Sequence, residues 1–532
     1  MVRFYAPFVV LNCARFYLKY SELIIFTFIK NLWKKNKPEK NSKVKTTRSG
    51  SIVKNSLKEN TNSTHPVNDT NITHCNRKGI DAHKYGILPK HIHKHALQIV
   101  EKLQRNGYEA YIVGGCLRDL LLGKDPKDFD VSTNASPEQV QELFGRQCRL
   151  VGRRFRLAHI MYGRNFIEVA TFRANHEENH NDNQSKQSRA GMLLRDNVYG
   201  TLEEDAQRRD FTVNAFYYDP KNNKIYDFFD GLADLKAGKL RLIGDPQTRY
   251  KEDPVRMLRA IRFMAKLDMF LDHATEEPIK QLAPLLKNIP SARLFDESLK
   301  LLQSGYGVKT YQLLRKYNLF AQLFPALMPF FTQSADNYTE KMILTALKST
   351  DERISDHLSI NPAFLFAAFF WYPLREKVEI LKNEGGLNNH DAYALAGNEL
   401  LAALCLRLSV PRRHTAVIRD IWFLQLQFFK RQGHQPQRTF EHSKFRAAYD
   451  LLAMRAEIEG GEAIELTTWW YEYQQSSNSQ RESLLNTIKD KHPKKKQSYY
   501  RNRRRRSRNN AKNTKNTTNN KSQKKANKHH DA

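Results

Sequence analysis

Two aspartates one residue apart, Asp128 and Asp130 in KDFDV, offer the first recognisable chemistry in this chain. On a strand, the period of two turns both carboxylates to one side and Phe129 to the other. Paired hard oxygen ligands suit Mg2+, or Mn2+ in its place, which binds through one or two carboxylates and completes its shell with water and substrate phosphates. A DxD pair alone says little, because surface turns carry it often. Its surroundings add more. AYIVGG, ending in Gly114 and Gly115, reads as a strand entering a glycine turn, followed by a short helix from Cys116 to Leu122 closed by Gly123. Bare backbone at the two glycines would let N–H groups approach a phosphate, with Arg118 supplying positive charge. The third glycine of a dinucleotide-binding fingerprint is missing at its spacing, which sets a Rossmann site aside.

A third acid has two contenders. Asp210 follows Arg208 and Arg209 at the entry to the strand-like NAFYYD, and Glu168 is the single acid in the otherwise apolar FIEVATF. Either could equally be a cap or a structural ion pair. Further along, EDPVRMLRAIRF sets Arg256, Arg259 and Arg262 at i, i+3 spacing, which confines them to about a third of a helix circumference, with Leu258, Ile261 and Ala265 opposite. Pro254 near the first helical position, after Glu252 and Asp253, makes a well-formed helix start. Standing alone, the stripe would be an ordinary solvated face.

These residues need a scaffold, and the chain has the material for one. Its 532 residues are 40% hydrophobic, enough for two or three cores. From about Tyr85 to Asp245, short β-branched or aromatic runs (AYIV, DFDV, FIEVATF, NAFYYD) alternate with helical stretches, an α/β pattern. After Tyr250 the apolar residues take helical spacing nearly to Tyr473, with no persuasive strand. The reading is an α/β head over 85–245, a helical neck over 246–305, a helical body over 306–475, and basic tails over 1–84 and 476–532. Of the formal charge of +31, residues 1–85 carry +11 and residues 491–532 carry +15, leaving +5 for everything between. Tails of Lys, Arg, Asn, Ser and Thr cannot bury apolar surface and should be disordered handles for a polyanion such as RNA. Five cysteines stand singly, without metal-ligand spacing, which suits a reducing cytoplasm. The apolar opening stretch is divided by Arg15, Lys19, Glu22 and Lys30 into runs of no more than about eleven residues, too short to span a bilayer; weak contact with a membrane surface is compatible with it.

Taken together, the glycine pair with its arginine, the DxD, the RRD and the EDPVR resemble, in order and spacing, the class II nucleotidyltransferases, which include CCA-adding tRNA enzymes and bacterial poly(A) polymerases. The resemblance covers roughly Tyr85 to Tyr473. LVGRRFRLAHIMYG, GTLEEDAQRRDFTVN, ARLFDESLKLLQSGYG, NPAFLFAAFFWYP and the Arg-rich tail look like the poly(A) polymerase branch. The fold implied is a polymerase-β-like α/β nucleotidyltransferase head on an all-helical neck and body. The resemblance makes Asp128, Asp130 and Asp210 the catalytic acids, the first two holding metal, and prefers Asp210 over Glu168. It assigns nucleotide binding to Gly114, Gly115, Arg118, Arg209, Asp253, Arg256, Arg259 and Arg262, with Asp253 and Arg256 reading the base. The reaction implied is attack of an RNA 3′-hydroxyl on the α-phosphate of ATP, with Mg2+ as cofactor, RNA 3′ ends and RNA-decay machinery as partners, and no DNA. A CCA-adding tRNA enzyme is the alternative on the same fold, and a non-catalytic RNA-binding protein the alternative outside it. His390–Asp391 reads as a chance doublet rather than a phosphohydrolase centre. FLFAAFFWY reads as core, whereas the polar neighbours of Trp469, Trp470 and Tyr471 make those rings the better base-stacking surface.

Overall fold

Residues 79–152, 156–174, 185–187, 193–196, 198–331 and 337–491 are described by a computed structural model. Its strands are β1 (Ile80–Asp81), β2 (Ala110–Val113), β3 (Asp130–Thr133), β4 (Cys148–Val151), β5 (Leu157–Tyr162), β6 (Asn165–Thr171), β7 (Ser185–Gln187), β8 (Leu193–Asp196), β9 (Phe216–Asp219), β10 (Lys224–Asp227), β11 (Lys239–Leu240) and β12 (Phe270–Leu271). Eight of them form one mixed sheet in the order β1-β10-β9-β2-β3-β6-β5-β4. The β3–β6 pairing is parallel and the remaining pairings in this sheet are antiparallel.

The strands form where the sequence alternates. On one face Ile112, Val131, Ala158, Ile160, Ile167 and Val169 are buried against Ile99, Leu103 and Val140 from the helices Lys94–Arg105 and Pro137–Phe144. Ser136 caps the second of these helices by accepting from the Gln139 N–H, and Pro137 fills its first position, a pre-organised start. On the other face, a small cluster of Val113, Phe172, Leu202, Ala206 and Tyr217, flanked by Tyr111 and Tyr226, covers β2, β9 and β10. Over β4, β5 and β6 that face stays open: Leu157, His159, Glu168 and Ala170 are half-buried, and Val151 and Phe166 are exposed.

From Pro246 onward the described residues are helical, with one departure. The two-residue β12 pairs in parallel with β11, a bridge too short to leave a pattern in the sequence. At the far end the helix Asn478–Lys491 carries regular structure past residue 475, the expected edge of the C-terminal tail. At the near end, β1 and a short 3-10 turn precede residue 86. The first 78 residues, with the apolar opening stretch, and residues 492–532, with RNRRRRSRNN, lie outside the described residues. Among the described residues no helix is long and apolar enough to cross a membrane.

The aromatic runs divide differently from expectation. FLFAAFFWY is core, as its composition implies: Leu365, Phe366, Phe369, Phe370 and Trp371 are buried. Trp469 and Trp470 are core too, which corrects their reading as a stacking surface. Trp470 donates its Nε1–H to the Phe428 carbonyl at 3.0 Å and packs its ring on Phe428 and Phe445. The one charged residue in WWYEY, Glu472, lies exposed on another side of the helix Gly461–Gln475, so its polarity did not describe the tryptophans' side. Tyr471 is half-buried. His390 and Asp391 sit exposed in the first turn of the helix Asn389–Leu408, where the Asp391 N–H bonds the capping Asn388.

Candidate active site

Asp128 precedes β3 and Asp130 opens it, with Phe129 between them buried, so the two carboxylates share the open side of the sheet. Neither carboxylate has a hydrogen-bond or ion-pair partner among the described residues. The parallel register of β3 with β6 (Val131 opposite Val169) sets Asp130 beside Glu168. The Asp130 carboxyl, on a residue still open to solvent, is pushed up to about 6 by the neighbouring protein mass and then by the charge of Glu168; Asp128 adds to this and Arg209 works against it. Burial likewise raises Glu168, which lies 3.6 Å from Nε2 of His159, its cross-strand neighbour. Crowded carboxylates whose mutual charge Arg209 only partly offsets are what a divalent ion relieves. No three such side chains close into a complete ligand set among the described residues, so the arrangement is an open one, of the kind that leaves positions for substrate phosphates.

Asp210 is placed elsewhere. One of its oxygens takes the Arg259 Nε–H at 2.6 Å; the other takes the backbone N–H of Phe211 at 2.8 Å and the Asn214 amide at 3.0 Å. Burial alone would raise its pKa, but Arg259, Asn214 and that N–H outweigh burial and hold it at about 2. The structure thus brings Asp128, Asp130 and Glu168 together and gives Asp210 to the arginines.

The glycine turn lies between the two groups. Gly114 takes φ +81, where a side chain is strained. A Cβ there would come within 3.3 Å of Arg209 Nη1, and one on Gly115 within 3.3 Å of Arg118 Nη2. The missing side chains therefore let two guanidinium groups flank the turn. Arg118 is itself fixed by Asp119 (2.6 Å) and by Asn214 (2.5 Å). Arg209 donates to Tyr217 Oη at 2.7 Å and to Asp205 at 3.2 Å. Beside Arg209, a cavity of about 330 Å³ is lined by Ser132, Leu157, Glu168, Ala170, Arg173 and Arg208, among others.

The helix Val255–Leu267 carries the arginine stripe, with Pro254 as its N-cap rather than inside its first turn. It is not a solvated face. Every residue of the helix is buried except Arg259, Arg262 and Lys266, a single half-open cationic line at i, i+3, i+7. Arg118, Arg259 and Arg262 all stand over the Phe263 ring, at 5.2, 5.3 and 5.3 Å, a shared cation–π anchor. Arg262 also reaches Glu297 at 3.4 Å, and Lys266 reaches Asp119 at 3.3 Å. Arg256 is turned inward, donating to the Arg249 carbonyl at 2.7 Å and to Glu252 at 2.8 Å. Asp253 is gripped by both terminal nitrogens of Arg293, at 2.9 and 2.7 Å.

Arg293, Asn214, Arg249 and Phe263 were not singled out from the sequence. Asn214 and Arg293 lie in quoted segments, RRDFTVNAFYYD and ARLFDES, but their partners are up to 96 residues away, and spacing reports only local neighbours.

A mixed sheet that presents paired acids beside a glycine turn, on a helical neck whose open stripe is cationic, defines a nucleotidyltransferase of the class that the sequence resembled. The poly A polymerase head domain family matches residues 110–241, the probable RNA and SrmB-binding site of polymerase A matches 268–331, and the polymerase A arginine-rich C-terminus matches 385–510. The chain is 72% identical over 422 residues to a poly(A) polymerase I of Haemophilus influenzae, covering 79% of this chain and 93% of that one. It is 54% identical over 411 residues to a poly(A) polymerase I of Escherichia coli O6:H1, covering 77% and 88%. A CCA-adding enzyme of Lactobacillus helveticus is 35% identical over 272 residues, 49% of this chain and 65% of that one. A solved CCA-adding enzyme in its apo form shares the fold at TM-score 0.52 and 19% identity, over 77% of this chain and 94% of that one. The chain belongs to the bacterial poly(A) polymerase I family.

Proposed function

We propose that the chain extends RNA 3′ ends with adenylate, without a template, by transferring AMP from ATP and releasing pyrophosphate. The observation that carries this reading is the facing of two unpartnered carboxylates, Asp128 and Asp130, by a fixed set of guanidinium groups. Family membership supports the same activity, and RNA and nucleotide binding with it.

Phosphoryl transfer asks mostly for positioning and charge neutralisation. Asp128 and Asp130 are the residues that would hold divalent metal, Mg2+ in this proposal, with Glu168 as the adjoining acid; the metal supplies a lowered pKa for the RNA 3′-hydroxyl and charge for the triphosphate. Gly114 and Gly115 leave backbone beside the phosphates, and Arg118, Arg209, Arg259 and Arg262 offset their negative charge. Asp210, which the resemblance makes a catalytic acid, acts in this proposal as a positioning residue that orients Arg259 through their 2.6 Å ion pair. The Arg293 grip fixes Asp253, while Glu252 and the Arg249 carbonyl hold Arg256 inward, so Asp253 is the half-open member of the pair that a base would meet. The choice of adenine follows from the family membership, and Asp253 is the residue placed to express it.

The setting we propose is the cytoplasm, with tailed RNA passed to decay enzymes and the basic N-terminal stretch touching an anionic membrane surface. The test is incubation with labelled RNA, Mg2+ and each nucleoside triphosphate separately. Long ladders with ATP alone, lost in Asp128→Ala/Asp130→Ala, support the reading. Addition that stops at two C and one A on a tRNA would replace it with CCA addition, and binding without extension would replace it with a non-catalytic role.

A further inference from the structure

The open face of the sheet, over β4, β5 and β6, takes no part in holding the nucleotide as described above, yet it borders the acids directly. His159 on β5 and Phe166 on β6 stack there face to face, ring centroids 4.3 Å apart and planes 8° from parallel. Phe166 is 50% exposed, and among the described residues only Phe270 and Leu406 leave more of a large apolar side chain in solvent. A diagonal cross-strand pair of this kind stabilises two strands, but a merely structural pair would favour covering the ring. Here one ring face remains available.

Its position gives it meaning. The registers set Arg149 on β4 opposite His159, His159 opposite Glu168, and Glu168 beside Asp130. A single row therefore runs across the sheet from an exposed cation, through an aromatic surface, to the acids. With strands about 4.8 Å apart, His159 and Asp130 are separated by roughly 10 Å of backbone, room for one ribose. Arg146 and Arg164, also exposed, lie at the adjoining ends of β4 and β6. The surface is continuous with the cavity beside Arg209 through Leu157 and Glu168.

We propose that the Phe166–His159 pair is the landing surface for the base at the RNA 3′ end, with Arg149 steadying the phosphate that precedes it, so that the terminal 3′-hydroxyl is delivered to Asp128 and Asp130. Aromatic stacking suits a growing poly(A) end, since it needs a ring face and no base-pairing edge. Continuity with the acids and positive charge on the outer edge both fit a nucleic-acid strand as the occupant. The inference rests on the polyadenylation reading and adds to it a primer site on the head.

The test uses the full chain, a short oligoadenylate primer and saturating ATP. Phe166→Ala raises KM for the primer about five- to tenfold with KM for ATP unchanged, and Phe166→Trp keeps the wild-type value. A 2-aminopurine at the primer's 3′ terminus is quenched by the wild-type protein and less by Phe166→Ala. An unmoved primer KM in Phe166→Ala, an equal change in both KM values, or failure of Phe166→Trp to retain the wild-type value would each overturn the landing surface while leaving polyadenylation intact. No extension of any RNA by the wild type would remove the polyadenylation reading, and this inference with it.

Discussion

The two sides of the cleft treat charge in opposite ways. On the sheet side, Asp128 and Asp130 form no ion pair among the described residues; Arg209 acts on Asp130 only from a distance, and their neighbour Glu168 adds a like charge. On the helix side almost every charge is answered: Asp210 by Arg259, Asp253 by Arg293, Arg256 by Glu252, Arg262 by Glu297. One side is incomplete until something cationic arrives, and the other is built before any ligand does. Pre-organised donors cost little rearrangement at the moment of reaction, whereas acids left unsatisfied keep their affinity for the reaction's own ions.

The sharpest way to break this contrast is to remove one acid from each side. Asp128→Asn should lower the rate of primer extension on the order of a thousandfold while leaving Tm unchanged or slightly raised, because it relieves crowding. A fall in Tm without loss of rate would reverse the assignment. Asp210→Asn should lower both, the stability by on the order of 2 kcal/mol, since it strands a half-buried guanidinium; thermal melts read the difference.

The third acid sharpens the comparison further. Glu168→Gln should weaken divalent-ion affinity about tenfold, followed by Mn2+ titration, with Asp210→Asn within about twofold of wild type. The opposite ranking would move Asp210 to the metal.

Metal-free protein should show the two signs as pH dependence. The raised Asp130 carboxyl adds stability that is full below its unfolded value near 4 and is lost as pH rises through about 6. The depressed Asp210 carboxyl adds stability that is present above about 4 and is lost as pH falls toward 2. In excess chelator, Tm should therefore climb as pH drops from 7 to 5, a slope absent in Asp130→Asn, and collapse below 4, less so in Asp210→Asn. The smallest effect is expected from Arg293→Ala, which frees Asp253 and should reduce the preference for ATP over CTP about fivefold, worth about 1 kcal/mol.

The sequence carried local order well and distant partnership poorly. AYIV and FIEVATF are strands because β-branched and aromatic residues fit a pleated, half-buried surface, and they appear nearly where the pattern puts them. The arginine stripe was also legible, as spacing on a helix. That its members would be drawn into ion pairs was not, because Asp210 lies 49 residues from Arg259 and Glu297 lies 35 from Arg262. The resemblance ranked Asp210 above Glu168 by its place in RRD, but only the parallel register of β3 and β6 reveals which acid neighbours Asp130. Trp469 and Trp470 misled for a related reason: adjacent residues on a helix point in different directions, so polar neighbours in the sequence are not neighbours in space.

The clamp between sheet and neck has a further consequence. Arg249 donates to the carbonyls of Arg208 and Arg209 at 2.6 and 2.8 Å and accepts from Arg256 at its own carbonyl, while β11 and β12 bridge the same junction. A cleft pinned at this seam looks the same after every round of synthesis, so it holds no record of how many residues have gone in. Such a device cannot count. The lengths of its products should then be decided by the odds of one more addition against letting go and fall off geometrically, an expectation that the length distribution of primer-extension products checks.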